Sequence, residues 1–386
     1  MKLLLTYADI ALQQWQSLVD SSPYATWFQT PEAYRFYASN PEEMMPFVYA
    51  VAEEANGDEA MRLLGDKAKG TENGETDIPV SRLIASSPYR LKAVCIGYVT
   101  KENSALKQFF TRRAIIIGGP LLTKDATDAE VVALLKAVKE CKVESLKCKG
   151  TEDSKADNQA SRLKKPIYIE TRNFHEYSKW RAVFEANGFA YQPHLNIQVA
   201  CNDQHSMSEQ RQRQVKKAIK NGAEICEASS EQEIRDWYQI LRQLYRQKVR
   251  TPLWSEAFFL QFYRSGVGMF LMVKYEGKVI GGMMCPVFVE KAIYEWYVCG
   301  LDEEYKEQYP SVMATYAAIE YAKQKGIPMF DFMGAGVPDK PYGVRDFKME
   351  FGGEVAEYGR YLHIRKPLLY KIGEWGVKIL KLGKIW

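Results

Sequence analysis

Apolar and polar positions along the chain fall into two successive series of strands and helices. In the first, MKLLLTYADIALQQW reads as a strand leading into a helix. TWFQTPEAYRFYASNP reads as a helix opened by Thr30, Pro31 and Glu32, because proline is pre-set for the first helical position. PFVYAVAEE, LKAVCIGYVTKE and RRAIIIGGPLL are strands, the last nearly all apolar and therefore buried. DATDAEVVALLKAVKECK is a helix with an acidic start, KKPIYIETRNF a strand, and SKWRAVFEANG a helix stopped by Gly188. FAYQPHLNIQVAC closes the series as one long strand. Between two of these strands, residues 53–90 lose apolar periodicity and gain Gly, Asp, Glu and Lys, the pattern of a solvated excursion.

The second series opens with SEQRQRQVKKAIKNG, a basic helix ending at Gly222, followed by the strand AEICEAS. SEQEIRDWYQILRQLYRQKV is a helix with Ser230 and Glu233 at capping-box spacing, and SEAFFLQFYRSG is another. GMFLMVKYEGKVIGGMMCPVF predicts a hairpin turning at Glu276-Gly277. KAIYEWYVCGL is a strand, SVMATYAAIEYAKQKG a helix, MFDFMG a strand and GVRDFKMEFGG a short helix, and EVAEYGRYLHI closes the unit as a second long strand. The two series repeat one another: glycine-bearing strand, apolar strand, helix, strand, short helix, long last strand. A duplicated α/β unit with mixed, partly antiparallel sheets accounts for this better than a chance match of elements. The boundaries that follow are 1–202 for the first unit, 203–365 for the second, and 366–386 for a C-terminal helix.

Composition narrows the class. Hydrophobic residues make up 46% and charged residues 26%, as in ordinary globular proteins, and no run is long and apolar enough to span a membrane. The seven cysteines are scattered singly with no CxxC pair, which suggests neither a disulfide framework nor a zinc site; a metal is not expected, and a reducing cytoplasm fits best. The net charge is +4, and residues 366–386 hold five Lys and one Glu, so the tail supplies the whole surplus. That speaks against a broad nucleic-acid-binding face, and DNA is not an expected partner.

The stretch with the most chemistry in it is FDFMGAGVPDKPYGVRDFKMEFGGE, residues 330–354. Lys348 stands between Phe347 and Phe351 after a glycine-rich turn, a cation at a fixed place that suits an anion or a developing oxyanion. The position of Lys348 has no lysine counterpart in the first series, which makes the second unit the expected seat of chemistry. Asp331, Glu295 and Glu170 are candidates to accept a proton. Strand alternation puts Tyr294 and Trp296 on one face and Glu295 and Tyr297 on the other. The four histidines are isolated and read as structural.

The order of a GG strand, an aromatic strand ending in Gly, a helix, a DF strand, a glycine turn and Phe347-Lys348-Met349-Glu350-Phe351-Gly352-Gly353 resembles the FemABX-like aminoacyltransferases. The match is to their F-K-x-x-F-G, and the basic helix around Arg213, Lys216, Lys217 and Lys220 is similar to the one leading into their second domain. The resemblance implies an α/β (α+β) fold of two tandem GNAT-type domains without the long coiled-coil insertion of some members. It implies transfer of an aminoacyl or acyl group to an amine of a cell-wall or surface-polymer precursor. Lys348 would stabilise the acyl-transfer intermediate, with Asp331 and Tyr297 as further catalytic candidates. Phe347, Trp296, Tyr342, Arg345, Arg213, Lys216 and Arg35 would contact substrate. Arg35 stands two residues before a tyrosine that takes the place of a family lysine, and Ile169-Glu170-Thr171-Arg172-Asn173 replaces the family's R-x-D-P.

No bound cofactor is expected; the co-substrate is either aminoacyl-tRNA or acyl-CoA. The starts of the two domain helices, Glu307-Gln308-Tyr309-Pro310-Ser311 and Thr123-Lys124-Asp125, lack the glycine-rich sequence with which GNAT enzymes hold the CoA pyrophosphate. Two alternatives remain open at this stage: a CoA- or acyl-carrier-dependent N-acyltransferase of polysaccharide or lipid modification, and a non-catalytic membrane-surface scaffold. The scaffold gains if Lys348 is buried in an ion pair with no open cavity beside it. In the tail, Leu368, Ile372, Trp375, Ile379, Leu382 and Trp386 recur at helical spacing with lysines mostly off the stripe. A basic amphipathic helix of this kind suits an anionic membrane surface, and the chain is expected in the cytoplasm, with peripheral contact at the inner face of the membrane.

Overall fold

The computed structural model describes residues 1–54, 89–101, 111–140 and 165–382, with side chains to 376; most of the expected excursion, 55–88, lies outside the described residues. The strands in chain order are β1 (Lys2–Leu4), β2 (Met44–Glu54), β3 (Tyr89–Thr100), β4 (Arg113–Gly118), β5 (Leu121–Leu122), β6 (Tyr168–Asn173), β7 (Ala190–Gln192) and β8 (Leu195–Ala200). They continue with β9 (Ala223–Glu227), β10 (Gly268–Tyr275), β11 (Lys278–Phe288), β12 (Ala292–Tyr294), β13 (Tyr297–Gly300), β14 (Met329–Asp331), β15 (Glu354–Glu357) and β16 (Arg360–Ile364). Local chemistry sets most boundaries as expected. Thr30 accepts from Ala33 N–H ahead of the helix Pro31–Ala38. Gly188 and Gly222 end helices with φ of 80° and 81°, and Glu276-Gly277, both at positive φ, turn the β10–β11 hairpin.

Two sheets of eight strands have the same order. One runs β1-β2-β3-β4-β6-β16-β7, with β5 on β3; the other runs β9-β10-β11-β12-β14-β8-β15, with β13 on β11. In each, one parallel pair (β4 with β6, β12 with β14) sits among antiparallel ones. The duplication read from the sequence is therefore a duplication of sheet topology.

The long last strands, however, are not single strands. FAYQPHLNIQVAC breaks at Pro193-His194: β7 stays in the first sheet, and β8 crosses to the second, where it pairs with β14 and β15. EVAEYGRYLHI breaks at Tyr358-Gly359: β15 stays in the second sheet, and β16 crosses to the first, between β6 and β7. The sheets thus exchange their penultimate strands, and the division expected at residues 202 and 203 does not separate them. Proline removes a ladder donor at the first break. At the second, Gly359 has φ 65°, and a Cβ there would lie 2.2 Å from Tyr191 Cε2. The two crossings touch, Gly359 N–H donating to His194 O at 3.1 Å.

One hydrophobic core also runs through both units. Trp27 lies 5.9 Å from Trp296, Phe28 is 5.3 Å from Tyr294, Phe36 is 5.2 Å from Phe258, and Phe174 stacks on Tyr294 at 5.9 Å. Gly359→Val should cost about 3 kcal/mol through positive φ and overpacking. In urea titrations followed by a probe in each unit, both transitions are expected to move together. If the midpoint fell in one unit alone, the shared core and exchanged strands would not couple them.

Candidate active site

Strand β12 and strand β13 would be one strand but for Glu295 and Trp296. Val287 pairs with Ile293 and Met284 with Tyr297, so β11 faces one residue too many, and the strand bulges. Glu295 N–H bonds to Asp331 O at 2.9 Å, while Trp296 N–H bonds to Met284 O at 3.1 Å. The bulge overturns the expected alternation. Trp296 and Tyr297 both line a cavity, and Glu295 is buried away from it.

There it meets Lys348. Lys348 Nζ lies 2.8 Å from Glu295 Oε1 and donates to Phe332 O and Gly334 O, each at 2.9 Å, so all three of its donors have partners. Both side chains are about nine-tenths buried. Burial pushes the Glu295 carboxyl up, and Lys348 pulls it back. In this arrangement the Lys348 ammonium holds the bulge against the turn after β14, where the helix Gly343–Met349 delivers it. Asp331 is buried too, accepting from Gln198 Nε2 at 2.8 Å and Met333 N–H at 2.6 Å, and burial pushes its carboxyl up to about 6. It supports the same wall from behind.

The remaining expected residues divide. Arg345 donates to Ala335 O at 2.9 Å and Pro338 O at 3.2 Å, with Val337 O as a third acceptor, so it clamps the glycine turn. Tyr342 is exposed beside Gly336, and Phe347 lies under the Arg211 guanidinium at 4.4 Å, at the edge of a smaller groove with Val298, Gly300 and Asp302. Arg35 pairs with Glu32 and Arg213 with Glu209, both on exposed helix faces, and Lys216 is exposed as well. None of these three lines the cavity.

That cavity, of about 680 Å³, lies between the units. The first contributes Tyr98, Arg113, Tyr168 and Arg172, and the second contributes Trp254, Trp296 and Tyr297. Leu369, Tyr370, Gly373 and Glu374 of the helix Pro367–Leu382 close one side. Arg172 is held by Glu170 at 3.0 Å, and Arg360 bonds the same carboxylate at 2.7 Å. Burial would raise Glu170, but Arg172, Arg360 and Arg113 hold it at about 2. Three guanidinium groups around one carboxylate leave an excess of positive charge. Glu170 is thereby a fixed anion and not a proton acceptor. Burial pushes the Tyr297 phenol up, so it stays a neutral donor. Sequence reasoning passed over Arg113, Tyr98, Tyr168, Trp254 and Tyr370; the one local signal was an arginine opening the otherwise apolar RAIIIG.

Both domain-helix starts carry carboxylates of the protein. Asp302 accepts from Ser311 N–H at 2.9 Å at the helix Pro310–Gln324, and its other oxygen takes the Ser311 hydroxyl. Glu130 accepts from Thr127 N–H at 2.7 Å at the helix Asp128–Glu140. A pyrophosphate at either place would meet a negative charge already there.

Residues 208–349 match the family described as the Acetyltransferase (GNAT) domain. No curated protein sequence matches the chain. Among solved structures, FemX is similar over 96% of this chain and 99% of its own, at 14% identity and a TM-score of 0.61. L-PGS from Bacillus licheniformis covers 83% of this chain and 97% of its own, at 14% identity and a TM-score of 0.47. A tandem GNAT protein from the clavulanic acid biosynthesis pathway covers 82% and 98%, at 10% identity and a TM-score of 0.42. The repeated sheet with its single parallel pair carries the match to the GNAT acetyltransferase domain within its second copy. The chain carries two units of the same sheet topology in tandem and shares its fold with FemX across nearly its whole length.

Breaking the Lys348–Glu295 pair from one side should cost about 3–5 kcal/mol, since an uncompensated charge is left buried. Lys348→Met and Glu295→Gln are expected to destabilise strongly alone and by less than their sum together, in chemical denaturation. Additive losses would mean that the pair does not act as a unit. Acid sensitivity has a separate source. Burial lowers His175 and His194 from 6.5 to about 4, and His194 Nε2 lies 2.8 Å from Arg360 Nη2, an arrangement that keeps the ring neutral. Their depressed values give stability that is whole above pH 6.5 and lost as pH falls toward 4. The stability gap between wild type and the double variant His175→Gln/His194→Gln should therefore narrow over that range.

Proposed function

We propose that the protein transfers an aminoacyl or acyl group from an activated ester to an amine of a cell-wall or surface-polymer precursor, with the interdomain cavity receiving the acceptor. The observation that carries this reading is the cavity lining: Arg113 and Arg172 beside Tyr98, Tyr297, Trp254 and Trp296. Guanidinium groups among aromatic rings suit an anionic, sugar- or nucleotide-bearing ligand. In the reaction the amine nitrogen bonds to the ester carbonyl carbon, the carbon–oxygen bond to the carrier breaks, and the proton lost by the nitrogen ends on the carrier oxygen, which leaves as a hydroxyl. The oxyanion formed on the way needs a hydrogen-bond donor. In this reading the neutral Tyr297 phenol supplies it, and Lys348 acts through Glu295 by holding the bulge that presents Tyr297 and Trp296. Lys348 is then a positioning residue. The carboxylates at both helix starts favour an aminoacyl-tRNA ester over acyl-CoA as donor. The basic helix Glu209–Lys220, with Arg213, Lys216 and Lys220 exposed, is the surface this reading offers to a tRNA backbone. Among the described residues no helix is long and apolar enough to cross a membrane. The reading puts the protein in the cytoplasm, in peripheral contact with the inner face of the membrane through its C-terminal helix.

The test supplies charged tRNA or acyl-CoA with candidate amines and follows acyl transfer. Tyr297→Phe is expected to lower kcat by about 10²-fold with KM little changed, as loss of one oxyanion donor does. Arg113→Gln should raise KM for the acceptor instead. Transfer from acyl-CoA at the rate of charged tRNA, or a Tyr297→Phe protein as active as wild type, would overturn the donor and catalytic assignments respectively.

A further inference from the structure

The helix Pro367–Leu382 has two faces with different surroundings. Leu369, Tyr370 and Gly373 turn inward onto the interdomain cavity, and Tyr370 meets Tyr168 edge-on at 5.3 Å. On the outward side Leu368 is 79%, Ile372 54% and Trp375 71% exposed, and Lys371 is exposed among them. Leaving two aliphatic side chains and a tryptophan in water on one helix is costly, and such a face marks an interaction site. Charge says what kind. Residues 366–386 carry five lysines and one glutamate on a chain that is otherwise neutral. A second copy of this helix would bring like charge against like charge, whereas an anionic bilayer offers both the apolar layer and the opposite sign. Tryptophan and lysine also suit the headgroup boundary, where a ring lies half in and an ammonium reaches outward.

We propose that the outer face of this helix, through Leu368, Lys371, Ile372 and Trp375, binds the surface of an anionic lipid bilayer. Because the inner face of the same helix closes the cavity, attachment sets the cavity directly behind the headgroup layer. An acceptor carried at the membrane surface then reaches the site without leaving it. This deepens the peripheral placement proposed above and does not depend on the transfer chemistry.

The experiment is co-sedimentation of the full chain with vesicles of phosphatidylcholine alone or with phosphatidylglycerol added, beside sedimentation velocity without lipid. Wild type is expected to bind the vesicles containing phosphatidylglycerol, more weakly as salt rises. The variant Leu368→Glu/Ile372→Glu/Trp375→Glu should lose at least about tenfold in binding, and Lys371→Glu alone a comparable factor on charged vesicles only. Unchanged thermal unfolding of these surface variants would assign the loss to the face itself. Equal binding by wild type and the triple variant, or no binding by either, overturns the proposal. So does self-association without lipid that the triple variant abolishes, since a second copy would then be the occupant. Vesicle binding is read without any donor or acceptor, so its failure is distinct from failure of the transferase reading.

Discussion

The reciprocal crossing of β8 and β16 is the constraint on which the rest of the molecule depends. Each sheet takes the strand beside its parallel pair from the other unit's end of the chain. The crossing strands meet where Gly359 bonds to His194, and that meeting point lies next to the Glu170 cluster. Arg360, one residue on, reaches Glu170 and His194 together. β8 carries Gln198 to Asp331. The cavity between the units therefore has walls whose spacing is set by covalent continuity as well as by the shared aromatic core around Trp27, Phe28 and Trp296. Such walls can be pre-formed for a ligand with little ordering left to do on binding.

A second consequence follows at the splay between β13 and β14. Parallel pairing ends after Tyr294 and Asp331, and beyond it the two strands part. In an isolated sheet that gap would leave the Gly334 carbonyl, and the second lone pair of Phe332 O beside its 2.7 Å bond from Gly334 N–H, in want of donors. Lys348 supplies them and takes Glu295 as its counter-ion, so one side chain satisfies a backbone opening and fixes a bulge at once. The pair is a device of shape. Its effect is felt at the next two residues along the strand, Trp296 and Tyr297, which face the cavity.

Much of this was legible in the sequence where a local signal carried it. Thr30-Pro31, Gly188, Gly222 and Glu276-Gly277 each punctuate an element for a reason contained in a few residues, and the repeat survived as the same strand order in two sheets. The crossings were not legible, because period-two alternation runs on through Pro193-His194 and Tyr358-Gly359 while the chain changes sheets. The bulge at Glu295-Trp296 escaped for a related reason: one inserted residue reverses the facing of all that follow, and alternation alone has no register to reveal it. The motif around Lys348 was legible as a lysine among aromatics, but spacing does not show that the Glu295 carboxylate lies across from it. The cavity draws on Tyr98, Arg113, Arg172, Trp254 and Tyr370, positions joined only by the fold.

The exchanged strands also bear on how the chain is made. The first sheet has a place between β6 and β7 that is filled only by Arg360–Ile364, some 170 residues after β7 has been synthesised. At elongation rates of about 5–20 residues per second, that is a wait of roughly 10–35 s with two edges unpaired at the ribosome. The amino-terminal half cannot finish first and hand a completed domain to the remainder. The two halves must close over one another when β16 arrives, and the helix Pro367–Leu382 that follows it then closes the interdomain cavity.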